Sequence, residues 1–270
     1  QLGLSIWLTM VVALIFALVV GYLNGLMVVK TGLPSFIVTL AFLYILRGLT
    51  IWLSILTTRK TIIGGVRDLA EGDWLAPVFG GVIFKDLFQW LGDVGVLETF
   101  SRGSRLGQPV VAGVPMLVVW AIILIIFGHV LLTRTRFGNW IFASGGDKLA
   151  ARYVGVPVNR LKILMFMFTA FCARVFAICQ VIEFGSAGAD RGVLKEFEAI
   201  ICVVIGGALL TGGYGSVIGA AIGALIFGVV QQGLFFSGAE SSLFRVFLGV
   251  ILLAAVILNT YIRRMITGEK

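Results

Sequence analysis

Long apolar runs, each close to the ~20 residues a helix needs to cross a bilayer core, constrain this chain more than any other feature. They lie at about 4–29, 36–56, 114–132, 163–181, 197–210, 217–236 and 243–262. In lipid only helices and closed barrels satisfy their own backbone, and runs of this length without strict alternation predict helices. The expected fold is therefore all-α, a polytopic transmembrane helix bundle of about seven membrane segments. The run at 197–210 is short and reads either as a full crossing or as a re-entrant segment. Composition agrees: 59% of residues are hydrophobic, 13% are charged and the mean hydropathy is +1.07, far from the balance of a soluble globular domain. The chain opens at Gln1 and enters an apolar run almost at once, so residues 1–270 are expected to form a single membrane domain truncated at its N-terminus.

Charges fall between the runs, and cytoplasmic loops retain Lys and Arg. Placing Lys30, the 133–162 loop and the tail with Arg263, Arg264 and Lys270 in the cytoplasm gathers ten basic residues against only Asp147 and Glu269. The opposite side, including an extracytoplasmic loop at 57–113, is mixed, with eleven carboxylates and eight basic residues. The C-terminus is then cytoplasmic. Topology thus accounts for the net charge of +8 and the pI of 9.8, and no nucleic-acid partner is expected.

Metal and nucleotide chemistry lack their ligands. Cys172, Cys179 and Cys202 fall inside apolar runs and the single histidine, His129, stands apart, so no metal site is expected. The glycine-rich stretch at 206–216 has no lysine to reach phosphates as a P-loop does. Its glycines read as a tight turn, followed by Gly215, Gly219 and Gly223 at four-residue spacing, where small residues let another helix approach closely. No catalytic set of paired carboxylates or nucleophile and base converges in the membrane, so the chain is not expected to be an enzyme.

Polar groups inside the runs mark an expected solute path. Asn24, Ser35, Thr39, Gln180, Gln231 and Gln232 can exchange hydrogen bonds with a passing neutral solute, or else tie helices together. Arg47 is the most central charge, and a charge at that depth costs about 2.5–3.5 kcal/mol on insertion scales, so it should face the bundle interior or water.

The 133–162 loop contains Gly145-Gly146-Asp147-Lys148-Leu149-Ala150-Ala151-Arg152-Tyr153-Val154-Gly155-Val156-Pro157. Asp147 is placed to cap a short helix over 148–154, and Gly155 to end it. Such a helix is too short to be stable without something to dock against. This loop resembles the cytoplasmic coupling loop of the monosaccharide permeases (ribose, xylose and arabinose type) of bacterial ABC importers, a family related to branched-chain amino acid permeases. Gly21-Tyr22-Leu23-Asn24-Gly25, Leu33-Pro34-Ser35-Phe36-Ile37-Val38-Thr39-Leu40, Arg47-Gly48, and Val203 to Gly207 with Gly215 to Gly219 stand in the same order as in that family.

The resemblance implies a permease subunit of an ATP-driven importer, in the bacterial inner membrane, passing a small neutral solute such as a monosaccharide. It implies a second permease subunit in a homo- or heterodimer, cytoplasmic ATP-binding subunits and an extracytoplasmic solute-binding protein as partners, besides membrane lipid. ATP would be used by the partner, and no cofactor would bind this chain. Gly146, Asp147, Ala150, Ala151, Arg152 and Gly155 would make the ATPase contact, with Ala150 and Ala151 allowing close approach. An echo between 17–26 and 224–234 suits an inverted repeat. Two alternatives remain: an ion-coupled secondary transporter, and an importer permease for nucleosides, a signalling furanose or branched-chain amino acids.

Overall fold

The computed structural model describes residues 6–66, 73–74, 76–99, 109, 111, 113–238 and 241–267. Of the topology-setting charges, Arg67, Asp68, Glu71, Arg102, Arg105, Glu240, Glu269 and Lys270 lie outside the described residues, as do the side chains of Arg263 and Arg264. The fold is all-α, a helical membrane protein with four two-residue strands among the described residues. Among the described residues five helices are long and apolar enough to cross a membrane: Trp7–Thr31, Ser35–Thr58, Met116–Arg134, Val158–Phe184 and Val217–Phe236. A further helix runs Ser241–Thr267, with its apolar stretch at Leu243–Ile257. The segment expected at 197–210 is a helix only from Lys195 to Ile205, about 16 Å at 1.5 Å per residue. That is roughly half of a ~30 Å hydrocarbon core, so this helix alone does not span it.

The chain divides into two compact units, 1–124 with 162–191 and 125–161 with 192–270. In the first, α1 (Ile6–Thr31) and α2 (Ser35–Thr58) are joined by a three-residue link in which Pro34 (φ −54°) leads into α2. The link closes on itself: Thr31 Oγ1 accepts from Leu33 N at 3.3 Å and donates to Met27 O at 2.7 Å. After β1 (Ile62–Ile63) come α3 (Ala76–Phe79), β2 (Val82–Ile83), α4 (Lys85–Asp93), β3 (Val114–Pro115) and α5 (Met116–Arg134). Strand β2 pairs antiparallel with β3, and β1 with β4 (Ala187–Gly188), which follows α8 (Val158–Phe184). Asp73 Oδ2 accepts from Trp7 N at 3.0 Å, placing a carboxylate on the orphan donors of the α1 N-terminus.

Helix α1 meets α8 through two small residues. A Cβ at Gly21 would lie 2.8 Å from Phe166 O, and one at Gly25 would lie 2.8 Å from Ile163 Cα, so only glycine permits this approach. Met10, Ile178 and Ile182, with Phe79 against them, form the core of this unit.

The second unit carries α6 (Arg136–Gly146), α7 (Lys148–Tyr153), α9 (Lys195–Ile205), α10 (Val217–Phe236) and α11 (Ser241–Thr267). Thr135 caps α6, its Oγ1 accepting from Gly138 N at 3.2 Å, and Ser216 caps α10 by accepting from Gly219 N at 2.9 Å. Ile201, Phe227 and Leu248, one from each of α9, α10 and α11, form its core. Gly215, Gly219 and Gly223 face α9 and the turn after it: a Cβ would stand 2.9 Å from Ala208 Cβ, 2.2 Å from Gly206 O and 2.1 Å from Cys202 O, respectively.

Candidate coupling loop and solute path

Local sequence builds α7 in the 133–162 loop. Asp147 Oδ1 accepts from the N–H groups of Leu149 at 2.8 Å and Ala150 at 3.1 Å, satisfying two of the donors a helix start leaves open. At the other end Gly155 takes φ +84°. Its N–H donates to Arg152 O at 3.0 Å and that of Val156 to Ala151 O at 2.9 Å, the paired bonds of a Schellman stop. That stop folds the chain back so that Val156 and Val158 bury Ala151, which is only 2% exposed. Arg152 Nη2 donates to Asn159 Oδ1 at 2.9 Å, tying α7 to the first turn of α8.

Of the six residues expected to contact an ATPase, Ala151 alone is buried and Gly146, Asp147, Ala150, Arg152 and Gly155 are exposed; Asp147, Arg152 and Gly155 also hold the loop's shape. Three large side chains of α7 and its C-cap that sequence reasoning did not single out share that surface: Leu149, Tyr153 and Val154 are 63%, 88% and 78% exposed. Their signal was available in the sequence, as three large and mainly apolar side chains within six residues of a basic loop.

The same loop is seated on the glycine-rich turn. A Cβ at Gly145 would lie 2.4 Å from Gly213 N, and one at Gly212 would lie 2.9 Å from Gly145 Cα. The end of α6, one residue before the Asp147 cap, thus packs backbone to backbone on the 209–214 turn that links α9 to α10. Gly212 and Gly213 both take positive φ, at +92° and +82°. In this conformation the stretch is a turn with an inter-helix contact.

The expected path residues are placed as follows. Asn24 is buried at 8% exposure between Gly21 and Gly25 on the α1 side that meets α8; its Nδ2 donates to Val20 O at 3.1 Å, and its Oδ1 is buried without a partner. Ser35 is exposed at the start of α2. Thr39 Oγ1 donates to its own helix, at Ser35 O (3.0 Å) and Phe36 O (3.1 Å). Arg47 lies half-exposed at the middle of α2, and Gln180 half-exposed on α8. Gln231 and Gln232 lie near the end of α10 in the other unit. Among the described residues no hydrogen bond joins any two of these side chains, so Asn24, with a buried acceptor left open, is the one whose position calls most for a ligand or water. No group of three or more His, Cys, Asp or Glu side chains that could hold a metal occurs among the described residues.

The family profile described as branched-chain amino acid transport system, permease component, matches residues 1–256. Ribose import permease protein RbsC of Escherichia coli (strain K12) is 30% identical over 250 residues, covering 92% of this chain and 67% of that protein. Xylose transport system permease protein XylH of the same strain is 30% identical over 289 residues, covering 97% and 73%. Autoinducer 2 import system permease protein LsrD of Salmonella typhimurium (strain LT2) is 27% identical over 258 residues, covering 95% and 68%. No solved structure matches the chain. The matched region takes in both glycine seams, the α7 loop and every path residue named above, and the chain belongs to the family of permease components of branched-chain amino acid transport systems.

Proposed function

We propose that this chain is the membrane permease subunit of an ATP-driven ABC importer and lines the route of a small neutral solute, a monosaccharide before a nucleoside or a branched-chain amino acid. The observation that carries this is the match over nearly the whole chain to proteins named as import permeases for ribose and xylose. Asn24, Ser35, Thr39, Arg47, Gln180, Gln231 and Gln232 offer hydrogen bonds suited to hydroxyls. The candidate spans contain one carboxylate, Glu183, in the last turn of α8, which speaks against an ion-coupled carrier.

In this reading ATP is hydrolysed by separate cytoplasmic subunits, and the chain itself binds no cofactor. A second permease subunit completes the route and an extracytoplasmic binding protein delivers the solute. The 133–162 loop and the C-terminus face the cytoplasm of the bacterial cell, and 57–113 faces the other side. The ATPase seats on Leu149, Tyr153 and Val154, with Ala150 beside them, while Asp147, Ala151 and Gly155 hold that surface out.

Co-purification tests the arrangement. Tyr153→Asp, which alters the exposed face and none of the loop's internal bonds, should insert normally and lose the ATPase from the purified complex. Retention at the wild-type level would remove α7 from the coupling role.

A further inference from the structure

We propose that α4 is an interfacial helix whose Leu87, Trp90 and Val94 seat in the lipid headgroup boundary beside the α5 span. This rests on the membrane fold and not on the identity of the solute. At about 100° per residue, the residues of α4 and its C-cap divide into three sectors around the axis. Phe88, Leu91 and Gly92 are buried or half-buried against the protein; Lys85, Asp86, Gln89 and Asp93 are exposed and polar; Leu87, Trp90 and Val94 are exposed and apolar. Two sectors would suffice for a surface helix in water. A third, apolar and uncovered, fits a helix at a boundary between protein, water and lipid.

The depth of α4 is set by its neighbours. Strand β2, one residue before α4, pairs with β3 in the register Val82↔Pro115 and Ile83↔Val114, and Met116 N donates to Gly81 O at 3.0 Å. Met116 is the first residue of the α5 candidate span. Trp120, one turn into that span, donates from Nε1 to Val78 O at 2.8 Å and stacks on Phe79 with ring centroids 5.1 Å apart. Strand β2 thus ends about two residues, or about 7 Å, from the level of Gly81 and Met116 where α5 begins, and α4 follows directly after Phe84. Tryptophan prefers that level, because its ring is apolar and its N–H can reach the headgroups.

Site-directed spin labelling of the full chain, in nanodiscs of phosphatidylethanolamine and phosphatidylglycerol, tests this. Nitroxides are attached to Leu87→Cys, Gln89→Cys and Val94→Cys in a background where Cys172, Cys179 and Cys202 are alanine. Positions 87 and 94 should collide with oxygen in preference to a water-soluble nickel chelate, with an oxygen-to-nickel ratio several-fold above that at 89. Equal ratios at all three would place the stripe in water. Loss of both collision rates at 87 and 94 would mean protein covers it. Either result overturns the proposal. In the chain with its own cysteines, fluorescence quenching by brominated phospholipid should fall in Trp90→Phe, and unchanged quenching there would overturn it too.

Discussion

Asp147 and Ala151 lie four residues apart and act on the loop in different ways. Removing the Asp147 carboxylate leaves two helix N–H groups without an acceptor, a loss of about 1 kcal/mol. Asp147→Ala should therefore raise amide exchange at Leu149 and Ala150 roughly fivefold, while Gly155 keeps the helix stop. Ala151→Asp would force a charge between Val156 and Val158, at the cost of taking it out of water. Exchange protection across 147–156 is expected to collapse, so any loss of an ATPase partner in that variant reports an unfolded loop. The cap and the stop were legible in the sequence because each depends on residues within one turn. The inward direction of Ala151 was not, since it follows from the Schellman fold-back that brings Val156 over it. Reading Ala151 as an outer contact therefore put on the surface a residue that is only 2% exposed.

Among elements, the long apolar helices follow from run length alone, and five of them appear where the sequence put them. The 197–210 segment could not be assigned from hydropathy, because its apolar run continues past the point where Gly206 and Gly207 end the helix. The Gly215, Gly219, Gly223 spacing showed a close contact without showing its partner, which is α9 and the turn beyond it. The echo between 17–26 and 224–234 does not match environments: Gly21 is pressed on α8, whereas a Cβ at Gly228 would meet no atom within 4 Å. Two glycines of α10 accordingly give opposite expectations. Gly223→Ala would put a methyl 2.1 Å from Cys202 O, so α9 and α10 must part, at about 1–3 kcal/mol for overpacking. Its midpoint in thermal unfolding in detergent should fall, while Gly228→Ala should leave it unchanged or raise it, since alanine is the better helix former. Equal midpoints for the two variants would contradict the seam.

For the whole molecule, composition and span count dictate a membrane protein, and the family follows from the order of motifs along the chain. The solute does not follow, because the path residues are few, uncharged apart from Arg47, and divided between the two units. An ion-coupled carrier needs titratable groups within its spans, and an ATP-driven permease needs a cytoplasmic surface for its motor and none of those groups. Thr39→Trp, which fills the α2 face near the Gly32 to Pro34 link, is expected to stop uptake with insertion and ATPase binding intact. Normal uptake by that variant would take this face out of the path. The most direct measurement is solute uptake by the chain assembled with its ATPase and binding protein in proteoliposomes, with ATP enclosed and proton and sodium gradients collapsed by ionophores. Uptake should require ATP and the binding protein and be unaffected by the ionophores; uptake that persists without ATP and is abolished by the ionophores would show an ion-coupled carrier instead.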